Sequence, residues 1–310
     1  MPNTLNRDAK AHVGFIGVGI MGGPMARHIL SAGFPLTVWN RSASKTQELG
    51  RDGARIATSC SEVLGAADIA VCMLTTGPVV NEVLFAAGKD GIIPTDEMKP
   101  GSTLVVMSSI PVKTCQEHAH RLATRGVNYI DAPVSGGEEG AKAGRLTIMA
   151  GGSAVALEKV RDVLENMGSL TLVGPVGMGQ LAKLANQMIV GITIGAVAEA
   201  LLVAIHGGAD LGAVRQALCG GFADSTVLRA HGKRMQEGNF VPGAPAEYQL
   251  KDLQTAQAFA SELGLNLPLL SVTSKLYEEM CNTDLRGQDH SALFTHLART
   301  VGPDFQTKEN

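Results

Sequence analysis

The first half of the chain alternates short apolar runs with longer, more polar segments. The apolar runs have the length of strands, and the segments between them, such as residues 111–125 and 154–167, have the length of helices. Strands that alternate with helices form parallel sheets, because the crossover helix returns the chain to the edge where the previous strand began. The pattern therefore predicts an α/β fold with a doubly wound parallel sheet. The strand-like runs are HVGFI, PLTVWN, DIAVCML, STLVVMSS, VNYIDAPV, RLTIMAGG and LTLVG.

The second half of the chain lacks this alternation. After GPVGMG, residues 182–211 form an apolar run of 30 residues, which suits one long helix. Residues 188–205 carry a single charge, that of Glu199, and approach the length of a membrane span. We reject a span, because glycine, alanine and threonine lower the hydrophobicity and helices with ordinary polar loops follow. A soluble helix that is apolar all round is buried between domains or subunits, so we expect a homodimer or homotetramer.

These patterns divide the chain into three predicted parts. Residues 1–11 are expected to form a disordered lead-in, residues 12–173 an α/β domain, and residues 174–310 an all-α domain that begins with the long helix and contributes to the substrate site and to dimerisation. Shorter helices are predicted in the last part at DLGAVRQALCGG, STVLRAHGKRMQEG, QLKDLQTAQAFASELG and PLLSVTSKLYEEMC.

Charge and cysteine usage point to a small-molecule ligand in a cytoplasmic protein. The formal net charge is −3, and no dense run of lysine and arginine suggests nucleic acid or a membrane surface as a partner. The five cysteines are odd in number and widely spaced, which predicts reduced thiols. His118 and His120 have no Cys/His partner cluster, so we predict a solvated helix face there and no metal site.

A G-x-G-x-x-G pattern lies between the first strand and the first helix. In such a loop the first glycine permits a tight turn, the second lets a pyrophosphate approach the bare backbone, and the third allows the helix to pack closely on the strand. We therefore predict a Rossmann-type domain that binds NAD or NADP. The predicted contacts in the loop are Gly17, Gly19, Ile20, Met21 and Gly22.

The end of the second strand favours NADP over NAD. An NAD-specific domain carries an acidic residue about 20 residues after the glycines, to bind the ribose 2′-hydroxyl. This chain has Asn40 there, followed by Arg41, Ser42 and Lys45, which offer two cations and a hydroxyl to a 2′-phosphate. An arginine exposed after a strand without a ligand explains the same pattern, so both cofactors stay open at this point.

Lys183 stands at the head of the long apolar helix. On a helix, Lys183, Asn186 and Gln187 share a face, and this polar stripe suggests a wet cleft. Helix geometry alone fits a lysine that extends outward to solvent equally well. The SGG run of Ser135, Gly136 and Gly137 can expose backbone N–H groups to a carboxylate, or form a simple turn. Lys251 and Asp252 are adjacent, and we expect such a pair to lie on the surface without facing itself.

Several motifs together resemble the β-hydroxyacid dehydrogenase family, in particular its tartronate semialdehyde reductase and 3-hydroxyisobutyrate dehydrogenase branches. The motifs span about residues 12–297, and their order along the chain makes the resemblance specific. They are GFIGVGIMGGPMA, DAPVSGG, GQLAKLANQ, GGFADSTVL, LKDL and DHSAL.

This resemblance implies NAD(P)-dependent interconversion of a short 3-hydroxy acid and its semialdehyde. It implies that Lys183 is the catalytic acid/base, that Asn186 binds substrate, and that the SGG run anchors a carboxylate. Further cofactor contacts implied by it are Leu74, Thr75, Ser109 and Lys251. Two positions depart from the family pattern: Thr75 replaces the usual proline, and Gln187 stands where many members carry a second asparagine.

Three other functions are compatible with part of the sequence pattern. WNRS with Lys45 also resembles the NADPH-dependent glyoxylate and succinic semialdehyde reductases of the family. An imine reductase would share the fold but usually lacks the lysine, so Lys183 argues against it. A catalytically silent nucleotide-binding regulatory protein would not need Lys183, Asn186 and the SGG run together.

Overall fold

The structure is a computed structural model that describes residues 10–88 and 90–301. The predicted lead-in, residues 1–11, lies outside the described residues except for Lys10 and Ala11. The chain divides into two compact units, Met1–Lys183 and Leu184–Asn310. The boundary predicted at residue 173 precedes the long helix, whereas the two compact units meet within it.

The first unit contains a sheet of nine strands in its described part. They are β1 (Val13–Ile16), β2 (Leu36–Trp39), β3 (Arg55–Ile56), β4 (Ile69–Cys72), β5 (Thr103–Val106), β6 (Asn128–Asp131), β7 (Val134–Ser135), β8 (Leu146–Gly151) and β9 (Gly168–Gly174). Their order is β3-β2-β1-β4-β5-β6-β8-β7, and β9 pairs with β8. The chain runs from β1 outward to β3 and then crosses to β4 on the other side of β1. The predicted doubly wound α/β fold is confirmed.

The sheet is mostly parallel, as predicted, and β8 is the exception. Pairing is parallel from β3 through β6, but β8 runs antiparallel to both β6 and β7. A parallel connection needs a crossover of roughly a dozen residues or more. Only a short segment with one six-residue helix, Gly137–Lys142, separates β7 from β8, so the chain turns back beside its own strand.

Side chains from the strands enter two separate buried clusters. Phe15 and Val71 belong to one cluster, and their neighbours Ile16 and Cys72 belong to the other; all four are 0% exposed. Because successive residues of a strand point to opposite faces, both faces of the sheet are covered. This explains why the strands read as continuous apolar runs.

The helices of the first unit begin at recognisable signals. They are α1 (Gly22–Ser31), α2 (Gln47–Arg51), α3 (Cys60–Ala66), α4 (Gly77–Val80), α5 (Val112–Ala123), α6 (Gly137–Lys142) and α7 (Ala154–Leu164). The side-chain oxygens of Ser59 and Ser153 each accept a hydrogen bond at 3.1 Å from a backbone N–H in the first turn of α3 and α7. Such capping explains where these two helices start.

The second unit is helical throughout its described part. The long helix α8 (Met178–His206) begins in the first unit and continues into the second; α9 (Leu211–Leu218), α10 (Thr226–Glu237), α11 (Ala246–Glu262), α12 (Pro268–Cys281) and α13 (Leu293–Val301) follow. Asp210 and Ser225 cap α9 and α10. The predicted long helix and the four shorter ones are confirmed.

Among the described residues, α8 is the one helix that is long and apolar enough to cross a membrane by length and composition. The core helix of a soluble protein meets the same two criteria. Ile194, Ala198 and Leu201, spaced at helical intervals, are 0% exposed. The rejection of a membrane span stays a prediction.

The expected solvated face at His118 was wrong. His118 is 5% exposed, and its ring stacks on Phe85 with the centroids 3.9 Å apart. Burial lowers the pKa of His118 to about 4. The prediction assumed that a polar side chain is exposed to solvent. A neutral imidazole with interaction partners also packs well in a core.

Candidate active site

The glycine loop between β1 and α1 has the shape that a dinucleotide requires. Gly17 has φ +93°, and a Cβ there would lie 2.2 Å from the carbonyl oxygen of Met73. A Cβ on Gly22 would lie 1.9 Å from the carbonyl oxygen of Gly17. Gly19 differs, because a Cβ there would meet nothing within 4 Å in the described structure. Two glycines thus close the turn and the third leaves open backbone, which fits a pyrophosphate.

The N-terminus of α1 follows this loop. Ile20 is 67% exposed and Met21 is half-buried at the N-cap. In the part of the chain described here, no side chain caps α1 by a hydrogen bond. Backbone N–H groups at the start of a helix attract an anion, so this end of α1 suits a phosphate.

Asn40 forms hydrogen bonds both with the glycine loop and with the loop that follows β2. Its Oδ1 accepts a hydrogen bond from the N–H of Val18 at 3.2 Å, and its Nδ2 donates to the carbonyl oxygen of Ser42 at 3.0 Å. Arg41, Ser42 and Lys45 are exposed. Sequence reasoning assigned Asn40 a ligand contact; the structure adds a positioning role for its side chain.

Further predicted cofactor residues follow β4 and β5. The N–H of Leu74 donates a hydrogen bond to Oγ of Ser108 at 2.7 Å, while Thr75 is exposed and Ser109 is half-buried. Because β1, β4 and β5 are parallel neighbours, these residues and the glycine loop lie at the same edge of the sheet. Ligands of open α/β sheets bind at this carboxyl edge.

The SGG run forms the turn from β7 to α6. Gly136 has φ +130° and Gly137 has φ +60°, backbone conformations that residues other than glycine rarely adopt. A Cβ on Gly137 would meet nothing within 4 Å among the described atoms. Ser135 is half-buried and pairs with Thr147 of β8. The turn leaves room beside its backbone, as carboxylate binding would require.

Lys183 and Asn186 lie in the first three turns of α8. Lys183 is 9% exposed, so it does not extend freely into solvent. Nδ2 of Asn186 donates a hydrogen bond to Oε1 of Gln187 at 2.9 Å. Nε2 of Gln187 in turn donates to Oδ2 of Asp252 at 2.8 Å. Gln187 thereby links the predicted substrate residue Asn186 to α11.

The expectation for Lys251 and Asp252 was wrong. Nζ of Lys251 lies 3.0 Å from Oδ1 of Asp252, and Asp252 is 5% exposed. The four-carbon lysine stem is long enough to fold back onto its neighbour, which the rule for adjacent helical positions does not consider. Asp252 therefore holds Lys251 and Gln187 through its two oxygens.

Comparison with known proteins matches both halves of the chain to dehydrogenase families. The family model described as the NAD binding domain of 6-phosphogluconate dehydrogenase matches residues 12–177, and the model described as NAD-binding of NADP-dependent 3-hydroxyisobutyrate dehydrogenase matches residues 177–297. The 2-hydroxy-3-oxopropionate reductase of Escherichia coli (strain K12) is 44% identical over 92% of this chain and 96% of its own. The chain belongs to the β-hydroxyacid dehydrogenase family.

Solved structures agree with this family. The 3-hydroxyisobutyrate dehydrogenase of Salmonella typhimurium is 30% identical with a TM-score of 0.83, over 92% of this chain and 99% of that one. Psf3, solved in complex with NADP+ and 2-OPP, is 25% identical with a TM-score of 0.83, over 92% of this chain and 99% of that one. As a family member, the protein is an NAD(P)-dependent hydroxyacid dehydrogenase.

Sequence reasoning about this dehydrogenase missed Asp131 and Gln180. Asp131 closes β6 and is 0% exposed, and Gln180, in the first turn of α8, is 1% exposed. Both side chains make hydrogen bonds at the start of the helix that carries Lys183. An acidic residue at the end of the apolar run VNYID was the available signal, since a buried carboxylate must have partners.

One group of described residues could offer atoms to a metal ion. Ligand atoms of His231, Asp289 and His290 lie within 4.8 Å of one another. Oδ2 of Asp289 already accepts hydrogen bonds from the N–H groups of Gly243 and Ala244, at 3.0 and 3.2 Å. The carboxylate thus fixes the loop before α11, and this role accounts for its burial.

Proposed function

We propose that the protein reduces 2-hydroxy-3-oxopropionate (tartronate semialdehyde) to the corresponding 3-hydroxy acid with NADPH. The 44% identity with a reductase of that name, over 92% of this chain, carries the proposal. The 3-hydroxyisobutyrate dehydrogenases match at lower identity, 30% for the solved structure and 32% for the mouse protein. Oxidation of 3-hydroxyisobutyrate is therefore the second candidate.

Lys183 is the proposed general acid. A bound nicotinamide supplies the hydride that the aldehyde carbon accepts. As the carbonyl bond becomes a C–O single bond, Nζ of Lys183 gives a proton to the developing alkoxide, and Asn186 holds that oxygen by a hydrogen bond. Gln187 restrains the Asn186 amide, because Oε1 of Gln187 accepts a hydrogen bond from Nδ2 of Asn186. The turn at Ser135–Gly137 binds the substrate carboxylate and so orients the aldehyde.

Three exposed residues support NADPH over NADH. Arg41, Ser42 and Lys45 follow β2, and Asn40 stands where an acid would repel a 2′-phosphate. The solved relative with NADP+ shares 25% of its sequence with this chain. Arg41 is the proposed main contact, because a guanidinium pairs with phosphate through two parallel hydrogen bonds.

A substrate panel tests the proposed reaction. Tartronate, methylmalonate and succinic semialdehydes and glyoxylate are each assayed with NADPH and NADH. We expect the highest kcat/KM for tartronate semialdehyde with NADPH. A preference for methylmalonate semialdehyde with NADH favours the 3-hydroxyisobutyrate reaction instead, and a preference for glyoxylate or succinic semialdehyde assigns the protein to that branch.

A homodimer or homotetramer in the cytoplasm is proposed as the working form. On α8, Ile189 is 67% exposed and Val203 is 74% exposed, and a second subunit would cover such side chains. Free thiols at all five cysteines support a reducing compartment. Light scattering at micromolar concentration should give a multiple of the 32.3 kDa chain mass. A fully active monomer contradicts the assembly.

A further inference from the structure

Asp131 lies buried against the first turn of α8. Its Oδ1 accepts a hydrogen bond from the N–H of Gly177 at 2.7 Å, and its Oδ2 accepts one from the N–H of Gln180 at 2.9 Å. The first N–H groups of a helix have no partner within the helix and carry its positive partial charge. One carboxylate therefore satisfies two such groups and complements the helix dipole.

The backbone around Asp131 leaves space for this carboxylate and for little else. A Cβ on Gly151 would lie 2.6 Å from Oδ1 of Asp131, and a Cβ on Gly179 would lie 2.8 Å from Oδ2. Gly177 adopts φ +92°, which directs the chain into α8. Three glycines close to one acid indicate a specific arrangement, because any side chain at Gly151 or Gly179 would displace the carboxylate.

Gln180 provides a second attachment for the same turn. Its Oε1 accepts a hydrogen bond from the N–H of Ile110 at 3.0 Å, and its Nε2 donates to the carbonyl oxygen of Ser108 at 2.8 Å. This segment follows β5 and contains Ser109, a predicted cofactor contact. The first turn of α8 is thus attached both to β6 and to the cofactor edge of the sheet.

We propose that Asp131 is a positioning residue for Lys183. We call the hydrogen bonds of Asp131 and Gln180 at the first turn of α8 the clamp. Lys183 follows Gln180 by three residues, about one helical turn, so the clamp sets the position of the Lys183 Nζ. The inference rests on the proposed role of Lys183. A charged carboxylate is required, because two N–H groups face it. An amide has one acceptor oxygen and turns N–H donors toward the other N–H, and a protonated carboxyl accepts more weakly through its hydroxyl oxygen.

The ionisation of Asp131 falls in a measurable range. Burial raises the pKa of Asp131 to about 6, against hydrogen bonds from Gly177 and Gln180 that lower it. The titratable groups that interact with it, Cys115 on α5 and Tyr129 on β6, have pKa values raised by burial and are neutral at that pH. Since the pKa of Asp131 is higher in the folded state than the usual value near 3.9, its protonation on acidification does not favour unfolding.

Single-turnover oxidation of NADPH in the presence of the semialdehyde tests the proposal. At pH 8 we expect Asp131→Asn to lower the rate by about 10- to 100-fold, since a displacement of about 1 Å at a reacting group can cost that much. The Kd for NADPH should stay unchanged. As the pH falls through 6, the wild-type rate should approach that of Asp131→Asn, whose own profile lacks this step. Asp162→Asn, an exposed change on α7, is the control and should behave as wild type.

Two measurements keep the test independent of folding and of substrate identity. The wild-type profile needs no variant: if protonation of Asp131 on acidification leaves the rate unchanged, the proposal is overturned even if Asp131→Asn does not fold. Hydrogen exchange at Gly177 and Gln180 should be faster in Asp131→Asn with no substrate present. If the substrate panel finds no substrate, the proposed function fails, but hydrogen exchange still tests the clamp. Unchanged exchange in Asp131→Asn, or a wild-type rate in that variant, overturns the positioning role of Asp131.

Discussion

The glycine loop and the start of α8 position ligand-facing groups by opposite means. At the loop the backbone itself is the proposed ligand-binding surface, and at Gly17 and Gly22 the fold leaves no room for a side chain. At α8 the proposed functional group is the side chain of Lys183, and two buried side chains, Asp131 on β6 and Gln180 on α8 itself, attach the start of the helix to the sheet. A backbone surface is damaged by adding atoms, whereas a clamp of side chains is damaged by changing charge or hydrogen-bonding capacity. The two regions should therefore respond differently to small substitutions.

The largest expected effect is at Lys183. Lys183→Ala should lower kcat by about 10²- to 10⁴-fold, the usual range for loss of a positioned proton donor. Binding of NADPH should not change, because the glycine loop is intact. Lys159→Ala, an exposed change on α7, serves as the control. Substantial turnover by Lys183→Ala at saturating substrate contradicts the role of this residue.

A pair of glycine variants tests the backbone surface. Gly17→Ala should destabilise the protein by about 1–3 kcal/mol from its positive φ alone, and further through the clash with Met73. Gly19→Ala, whose Cβ meets no neighbour within 4 Å in the described structure, should keep the wild-type Tm. It should raise KM for NADPH and NADH alike, because the methyl group occupies the space of the pyrophosphate. An unchanged KM in Gly19→Ala shows that the ligand lies elsewhere.

The smallest expected effect is at Arg41, an exposed side chain beside the backbone surface. Arg41→Ala should raise KM for NADPH by about 10- to 100-fold, since a hydrogen bond to a charged group contributes about 1.5–3 kcal/mol. KM for NADH, which lacks the 2′-phosphate, should hardly change. Arg51→Ala on α2 is a matched exposed control. Equal effects of Arg41→Ala on both cofactors exclude a contact with the 2′-phosphate.

Much of the fold and part of the candidate site were predictable because their signals are local. The strand and helix periods, the spacing of Gly17, Gly19 and Gly22, and the apolar run of α8 each lie within a short stretch of chain. Local signals failed where a partner is distant in sequence. His118 looked like a surface residue because its polarity is visible in the sequence, while Phe85, on which it stacks, lies 33 residues away.

Periodicity and glycine spacing depend on neighbours along the chain, and for that reason they predict the doubly wound α/β unit, the helical unit after it and the glycine loop. The folded structure is needed to show that β8 runs antiparallel, that Asp252 holds both Lys251 and Gln187, and that Asp131 accepts hydrogen bonds from the start of α8. Asp131 and Gln180 are 49 residues apart. Hydrogen bonds and ion pairs act over about 3 Å in space regardless of sequence separation, so these contacts exist only once the chain has folded.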